Sequence, residues 1–218
     1  MKKQIFIILS IIFICTSLMG ADAVAFTLKA VGNVSLTRGD DTNKVENGTQ
    51  LQNEDMLETK ENSYAAVKFV DGSSVIKIFP RSMLTIKTTV SEDNKLNKTN
   101  YLNAGEIWAK VTRKSGEFQI DTPTTVVSVK GTRFNVKVDE NGTTVNTFEG
   151  IVEMKNKKNG ETGLVGAGQN GSSNGDGDMN VGEGNTEEEE GDESDPQILE
   201  IELDNGDGDT KTIKIEFE

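Results

Sequence analysis

The chain contains no histidine, one cysteine and three prolines among its 218 residues. Without histidine, the commonest general base, the usual partner of a serine or cysteine nucleophile and the commonest zinc ligand are all missing. With only Cys15, no intrachain disulfide can form. We therefore predict a non-enzymatic protein that has no catalytic, cofactor-binding or metal-binding residues and that is held together by a packed core.

The N-terminus has the layout of a cleavable secretory signal. Lys2 and Lys3 precede an apolar run, Phe6 to Ile14, and small residues follow up to Ala23. This layout predicts cleavage after Ala23, export to the periplasm or the cell surface, and no stable membrane span afterwards. Retention as an anchor is the alternative, but the apolar run is shorter than the roughly 20 residues that a spanning helix needs. Cys15 follows large apolar residues, so it is predicted to be part of the signal core rather than a lipidation site.

Negative charge is concentrated in the C-terminal part of the chain. Residues Gly171 to Glu218 contain 17 acids and 2 bases, whereas Val24 to Asn170 contain 18 acids and 19 bases. The sequence shows no basic stripe with interleaved aromatic residues, which is the usual signature of nucleic-acid binding. We predict no nucleic-acid partner.

Short alternating segments separated by turn residues run through most of the chain. Tyr64 to Val70 alternates with the strand period, and Asp71-Gly72 predicts a two-residue hairpin turn onto Ser74 to Ile78. Asn141-Gly142 predicts a second hairpin. No helical period lasts beyond two turns, and roughly 10 to 12 strands of ordinary length fit the pattern. The sequence predicts an all-β single domain, with a sandwich, a roll and a solenoid-like stack left open.

One central segment combines a predicted irregularity with the only tryptophan. Leu102 to Val111 predicts a strand pair, or one strand that is bulged at Gly105, with Ile107 and Trp108 on opposite faces. Trp108 is interpreted as a packing residue rather than a ligand platform. The polar stretch before it, Ser91 to Asn100, is predicted to be a loop.

Four regions follow from these patterns: a signal peptide (1–23), an all-β domain (24–165), an acidic flexible linker (166–196) and a C-terminal β-hairpin (197–218). The linker is rich in Gly, Asn, Ser and acidic residues, which cannot bury enough apolar surface to order themselves. In the hairpin, apolar residues alternate over Ile198 to Leu203 and Thr212 to Phe217. Since an isolated hairpin is marginal in water, its apolar side should pack on the body or on another molecule.

Three sets of residues have some of the chemistry of a site. Asn205, Asp207, Asp209 and Glu216 have the spacing of ligands in a calcium-binding EF-hand loop, but Thr210 stands where the loop needs glycine and the flanks are strands. Five carboxylates could form a glycosidase-type pair, but no spacing selects two of them: Glu106, Glu117, Asp121, Glu149 and Glu153. Serine–lysine pairs, Ser128 with Lys130 and Ser73 or Ser74 with Lys77, lack a strained elbow or an oxyanion loop. None is predicted to be a functional site.

An ordered set of motifs resembles the FecR domain of periplasmic sensor proteins over most of Asn53 to Met154. The motifs are, in order, Asp55 to Thr59, Ser63 to Ser73 with Asp71-Gly72, Pro80 to Ile86, Leu102 to Val111 with Gly105 and Trp108, Phe118 to Pro123, Val129 to Val136, and Glu149-Gly150. The resemblance is specific because several motifs occur in sequence. Turn residues such as Asp71-Gly72 and Gly131 need special backbone angles, so most of the motif is predicted to be scaffold.

The resemblance implies a function in the cell envelope. In the best known members such a domain receives a signal from an iron-siderophore receptor, and a cytoplasmic segment passes it to a sigma factor. Here only residues 1–5 precede the apolar run, so we expect no sigma-binding segment. We expect an exported protein that acts through contact with an envelope protein, in signal sensing or regulation. The alternative is a structural or adhesive surface module that self-associates or adds its C-terminal hairpin to a partner as strands.

Overall fold

The computed structural model describes residues 23–112 and 116–184, and the backbone of residues 198–204 and 210–216. The described residues contain strands and turns and no helix. Accordingly, no described helix could cross a membrane. The predicted signal peptide lies outside the described residues, apart from its last position, Ala23.

Eighteen strands form the body, more than the sequence predicts. They are β1 (Ala25–Val31), β2 (Val34–Arg38), β3 (Asp41–Lys44), β4 (Gln50–Leu51), β5 (Met56–Thr59), β6 (Tyr64–Phe69), β7 (Ser74–Ile78), β8 (Met83–Thr85), β9 (Thr88–Val90), β10 (Leu96–Val111), β11 (Phe118–Asp121), β12 (Thr125–Val129), β13 (Arg133–Asp139), β14 (Gly142–Glu149), β15 (Ile151–Asn156), β16 (Thr162–Gly166), β17 (Gln169–Ser173) and β18 (Met179–Glu183). A separate antiparallel pair, β19 (Ile198–Asp204) and β20 (Thr210–Glu216), forms the predicted C-terminal hairpin. The body has more strands than predicted partly because bends divide segments that look continuous in the sequence. The opening segment, for example, splits at Gly32, where φ is +76°.

The strands form two layers that are joined through β10. Sheet A has the order β4–β1–β6–β7–β10–β13–β14–β17–β18. Sheet B has the order β3–β2–β5–β8–β10–β11–β12–β15–β16, with β9 beside the start of β10. All pairs are antiparallel except β10 with β11. The predicted all-β fold is thus a curled, largely antiparallel sheet folded into two layers.

The core lies between the two layers. Phe118 of sheet B stands between two phenylalanines of sheet A, with ring centroids 6.4 Å from Phe69 and 6.3 Å from Phe134. Both pairs meet edge to face, the geometry that aromatic rings favour. The three side chains are almost fully buried and belong to one continuous apolar cluster. This cluster supplies the core that a chain without disulfides requires.

Strand β10 passes from sheet B to sheet A at Gly105. Residues Leu96 to Ala104 pair with strands of sheet B, and Gly105 to Val111 pair with strands of sheet A. Gly105 has φ +90°, and the register with β8 shifts between Leu102 and Ala104. Of the two alternatives for this segment, the single bulged strand is therefore confirmed. The loop predicted over residues 91–100 is wrong from Leu96 onward, because polar residues there face inward and are buried.

The second half of the body is a series of hairpins that alternate between the sheets. β11–β12 lies in sheet B, β13–β14 in sheet A, β15–β16 in sheet B and β17–β18 in sheet A. Each hairpin pairs with the previous hairpin of its own sheet, β12 with β15 and β14 with β17. One to three residues connect successive hairpins.

Both hairpins signalled by turn dipeptides are confirmed. The first, β6–β7, has a four-residue loop from Val70 to Ser73 instead of the predicted two-residue turn. In the second, β13–β14, Asp139 stands opposite Gly142, so Glu140 and Asn141 form the turn. Gly142 then begins the next strand at φ +125°.

The linker predicted from Gly166 is wrong for residues 166–184, which complete β16 and form β17 and β18. A run of Gln, Asn, Gly and Ser can form a strand here because its inward positions must be small. A Cβ atom added to Gly171 would lie 2.5 Å from the Met154 sulfur and 2.6 Å from Val165 Cγ2. The rest of the predicted linker, residues 185–196, lies outside the described residues.

Candidate functional site

The Asp71-Gly72-Ser73 motif closes over a buried lysine. Lys98 is fully buried, and its Nζ donates hydrogen bonds to Asp71 Oδ2 (2.7 Å), Ser73 Oγ (2.9 Å) and the Leu96 carbonyl (2.8 Å). Burial by itself raises the pKa of Asp71, but hydrogen bonds from Lys98 and Ser73 outweigh it and hold the pKa below its usual value. The motif therefore fixes the loop after β6 to the beginning of β10.

The Pro80-Arg81-Ser82 motif fixes the crossing point of β10. Ser82 Oγ accepts a hydrogen bond from the Glu106 amide (2.8 Å) and donates one to the Glu106 carbonyl (3.1 Å). The Ser82 amide donates to Thr59 Oγ1 at 3.0 Å. These bonds hold the turn against Thr59 and against the backbone of Glu106, the residue that follows Gly105.

Two later motifs fix turns in the same way. Thr122 Oγ1 accepts a hydrogen bond from the Thr125 amide (3.0 Å) and lies 2.6 Å from Thr143 Oγ1, which joins the β11–β12 turn to β14. Gly150 packs so closely that an added Cβ would lie 2.8 Å from the Gly131 carbonyl oxygen. Each of these motifs thus makes a structural contact, in agreement with the prediction that most of the motif is scaffold.

A serine and a lysine do meet, but they are not the ones the sequence suggested. Ser73 contacts Lys98 rather than Lys77, which lies on the outer face of sheet A. All three protons of the Lys98 ammonium have acceptors, one of them a carboxylate. A general base must be within reach of a substrate, whereas Lys98 Nζ is fully buried and bonded to three groups of the protein itself. The geometry is that of a buried ion pair.

The five candidate carboxylates are spread over the two sheets. Glu106 and Glu149 lie on the outer side of sheet A, and Asp121 and Glu153 lie on the outer side of sheet B, where Asp121 pairs with Lys157. Glu117 precedes β11 and its amide bonds to Asn97. Over residues 23–112 and 116–184, no group of three potential metal ligands occurs. Asn205, Asp207 and Asp209 lie outside the described residues, and only the backbone of Glu216 is described.

The outer side of sheet A collects basic residues from five strands; we call it the basic face. Inward positions of these strands are apolar and buried, so alternate positions point outward. The outward positions carry six bases on β1, β6, β7, β10 and β13, together with three acids at Glu106, Asp139 and Glu149: Lys29, Lys68, Lys77, Lys110, Arg133 and Lys137. Lys110 and Lys137 are exposed.

A row of directly opposed residues crosses the middle of the basic face. The strand registers place Lys77 opposite Trp108, Trp108 opposite Asn135, Asn135 opposite Asn146, and Asn146 opposite Asn170. Lys77 Nζ lies 5.0 Å from the centroid of the Trp108 ring, a cation–π distance. The row offers one large aromatic side chain and the half-buried amides of Asn146 and Asn170, which both donate and accept hydrogen bonds, whereas the amide of Asn135 is buried.

The three acids of the basic face already have partners. Glu106 Oε1 accepts a hydrogen bond from Asn135 Nδ2 at 2.5 Å. Asp139 Oδ1 accepts one from the Asn141 amide at 2.9 Å, and Glu149 lies 3.6 Å from Arg133 Nε. Only Glu149 faces a base among these contacts, and the six bases outnumber the three acids, so the outward strand positions of the face carry an excess of positive charge.

The outer side of sheet B differs in charge. Its outward strand positions carry Glu58, Asp121 and Glu153 against Lys44 and Lys155. The nearly neutral composition of residues 24–170 therefore hides a separation of charge between the two faces.

Sequence reasoning missed the basic face because its residues are widely separated along the chain. Strand alternation was the available signal, but it requires knowledge of which sheet each strand enters.

Trp108 is half-buried on this face, in agreement with its interpretation as a core or semi-exposed packing residue. Its ring contacts Lys77, and part of it remains open to solvent. Tryptophan in such a position is a frequent anchor in protein interfaces. The basic face is accordingly the candidate functional site.

Replacing Lys98 by methionine is expected to destabilise the protein by about 2–3 kcal/mol, because it removes the three hydrogen bonds of the buried ammonium and leaves the partly exposed Asp71 carboxylate without its cation. In the unchanged protein, the stability that comes from the lowered pKa of Asp71 is present above about pH 4 and is lost as pH falls through that lowered pKa. Urea unfolding between acidic and neutral pH measures both effects, and the variant should lose this part of the acid dependence.

The exposed Lys95 offers a matched control for that change. Lys95→Met removes a neighbouring charge from the surface and should alter stability by no more than about 0.5 kcal/mol. Adding Asp71→Asn to Lys98→Met should restore part of the lost stability. Equal urea midpoints for Lys98→Met and Lys95→Met would refute the importance of the buried pair.

Comparison with known proteins agrees with the resemblance carried by the motifs. A family model described as FecR protein matches residues 55–153. Two crystal structures of a proposed anti-sigma factor from Parabacteroides distasonis, at 2.50 and 1.65 Å resolution, are similar in fold, each with a TM-score of 0.50 and 19% sequence identity. Each match covers 59% of this chain and 59% of the other, so the chain spans about three fifths of the length of these relatives. No curated protein matches the chain.

Proposed function

We propose, from the premise that residues 55–153 belong to the FecR family, that the chain is an exported, non-enzymatic protein of the cell envelope. It acts in signal sensing or regulation by binding a protein partner, and the basic face is its contact surface. The family match and the fold support a regulatory role. The N-terminal signal layout supports export.

The basic face is the observation that carries the proposal. In a chain with a net charge of −13, six bases lie on one side of one sheet. Such an arrangement attracts an oppositely charged surface and orients it during encounter. Trp108 at the centre supplies the large, partly apolar side chain that commonly contributes most to the binding energy of an interface.

The chemistry of the face defines the partner. The exposed Lys110 and Lys137 fit carboxylates, and the half-buried Asn146 and Asn170 fit backbone or side-chain amides of a protein. We therefore expect an acidic protein surface that presents an apolar group to Trp108. An envelope receptor of the iron-transport type, as the family resemblance implies, is one protein of this class. An anionic polymer would pair with the lysines but would make fewer hydrogen bonds to the asparagine side chains.

Reversing two exposed charges on the basic face is expected to reduce partner capture at least tenfold, since two attractions become repulsions (about 1.4 kcal/mol corresponds to tenfold). The variant is Lys110→Glu with Lys137→Glu, and the measurement is crosslinking in cells followed by identification of the captured proteins. Because both side chains are exposed, stability should change by no more than about 0.5 kcal/mol.

The matched control reverses two exposed lysines on the outer side of sheet B, Lys44→Glu with Lys155→Glu. It makes the same change in net charge on the opposite face and should leave capture unchanged. Equal loss in both variants would show that net charge alone matters and would overturn the assignment of the face. Recovery of anionic polysaccharide or nucleic acid, with no protein, would overturn the protein partner.

A further inference from the structure

We infer that the C-terminal hairpin β19–β20 adds to the open edge of β16 in the same chain and so extends sheet B by two strands. The inference does not rest on the proposed function. It concerns the other end of the molecule and assigns an intramolecular partner to the hairpin.

The edge of β16 has the character of a pairing site. Among the described strands, β16 pairs only with β15. Its residues Thr162 to Gly166 include no charge and no proline, and Leu164 is 62% exposed. Natural edge strands are usually protected by charges, by proline or by being very short. The edges at the other end follow that rule, because β3 contains Asp41 and Lys44 and β4 has two residues.

The order of the hairpins identifies what belongs at this edge. Successive hairpins enter sheet B, sheet A, sheet B and sheet A, and the last of them is β17–β18. The next hairpin along the chain is β19–β20, and the alternation assigns it to sheet B. In the two steps in which a hairpin joins an earlier hairpin of its sheet, the first strand of the new hairpin pairs antiparallel with the last strand of the earlier one. By the same rule β19 pairs with β16.

The pattern of apolar residues agrees with that placement. In the β19–β20 register, Leu199 stands opposite Ile215 and Ile201 opposite Ile213, so these apolar positions share one face of the hairpin. On the body, Met179 and Val181 of β18 pack against the core but remain half exposed. A hairpin added to β16 with its apolar positions inward would cover β18 as each earlier hairpin covers the opposite sheet.

The connecting segment is long enough for this placement within one chain. Residues 184–197 join β18 to β19 and can span at most about 45 Å. Neighbouring strands are about 4.8 Å apart and packed sheets about 10 Å apart, so the reach is ample. A tether of this length gives an effective concentration on the order of millimolar, which favours pairing within the chain over pairing with a second copy.

Hydrogen exchange on the full chain tests the inference. Replacing Ile201 by aspartate puts a charge on the apolar face of the hairpin and should speed exchange of the β16 amides by at least about tenfold. Thr212→Asp is the matched control, because residue 212 lies on the opposite face in the register, and exchange should be unchanged. Equal exchange in the unchanged chain and in Ile201→Asp would overturn the docking.

A crosslink distinguishes pairing within the chain from pairing between copies. If Ile201 stands opposite Val165, then Glu202 stands opposite Leu164. In a chain that carries Cys15→Ser, the pair Leu164→Cys with Glu202→Cys should therefore form an intramolecular disulfide under oxidation. The pair Leu164→Cys with Glu200→Cys tests a shift of two residues. Disulfides only between chains would overturn the intramolecular pairing in favour of the adhesive module, and no disulfide in either variant would overturn the pairing itself.

Discussion

A chain that ends at Val165, the domain boundary drawn from composition, is expected to remain unfolded, whereas a chain that ends at Gly184 is expected to fold. The shorter chain lacks β17 and β18, which form the end of sheet A. The longer chain keeps every strand of the body. The two chains differ by residues 166–184, which are mostly Gly, Ser, Asn and acidic residues. The hydropathy of these residues would not predict that they decide whether the chain folds.

The missing strands cover core residues that are fully buried in the complete body. Val145, Met154 and Val165 have no exposed surface, and Gly171 of β17 lies directly against the last two. Full burial of one such side chain contributes about 1.5–3 kcal/mol. Losing much of this for three residues removes several kcal/mol, a large part of the roughly 5–15 kcal/mol that stabilises an ordinary domain.

The same truncation leaves buried polar groups without partners. Asn156 Nδ2 donates hydrogen bonds to Ser173 Oγ (2.8 Å) and to the Asn174 carbonyl (2.9 Å). Without β17 these donors remain near the core, and an unsatisfied buried group costs about 1–3 kcal/mol. The polar residues of β17 therefore stabilise the body through hydrogen bonds and close packing rather than through apolar area.

Circular dichroism and thermal unfolding of the two chains measure this difference. The chain that ends at Gly184 should show a cooperative transition, which differs from that of the full chain only by what residues 185–218 add. The chain that ends at Val165 should show none. A cooperative transition at the same temperature for both chains would restore the linker prediction from Gly166.

Local sequence patterns predicted two hairpins and the bulge in β10, because the residue types at these places suit the backbone angles that a turn or a bulge requires. Asp71-Gly72 and Asn141-Gly142 marked hairpins because glycine and its partner residues accept tight turns, and both hairpins are present. The bulge at Gly105 was foreseen as one of two alternatives. These features depend on neighbours in sequence, so one sequence is sufficient to find them.

Two strand segments were missed because tertiary contacts override their composition. Lys98 and Asn100 look like loop residues, yet both are fully buried in β10. Lys98 is tolerated there because Asp71, far away in the sequence, neutralises it. Gly171 and Ser173 look like linker residues, yet the space against Met154 and Val165 admits only small side chains. In both cases a residue distant in sequence determines which side chain fits, and a local pattern does not identify that residue.

The candidate site was missed for a related reason. Lys29 and Lys137 belong to one face only because β1 and β13 both enter sheet A. Their alternation within each strand was visible, but the sheet that each strand joins depends on the order of hairpins around the two layers. The sequence showed a body with a net charge near zero, and the fold separates that charge between the two outer sides.

Gly105→Ala is expected to destabilise the protein by about 4 kcal/mol or more, because the site combines positive φ with no room for a Cβ atom. At φ +90° an L-residue is strained, and the added Cβ would lie 2.5 Å from the Ser82 Cα and 2.6 Å from the Arg81 carbonyl oxygen. Both of these are backbone atoms, so no side-chain rotation relieves the clash. The strand that joins the two sheets would have to separate from the turn after β7.

Gly72→Ala isolates the contribution of backbone strain. Gly72 also has positive φ, +67°, but no atom lies within 4 Å of a Cβ built there. Its replacement should cost only about 1–2 kcal/mol, the ordinary penalty of the left-handed region. Urea unfolding of the two variants measures the difference, which reports on the packing of Ser82 against the crossing point of β10. If both substitutions cost the same, the crossing point would be able to shift, and the two sheets would be joined less rigidly than the hydrogen bonds of Ser82 to Glu106 indicate.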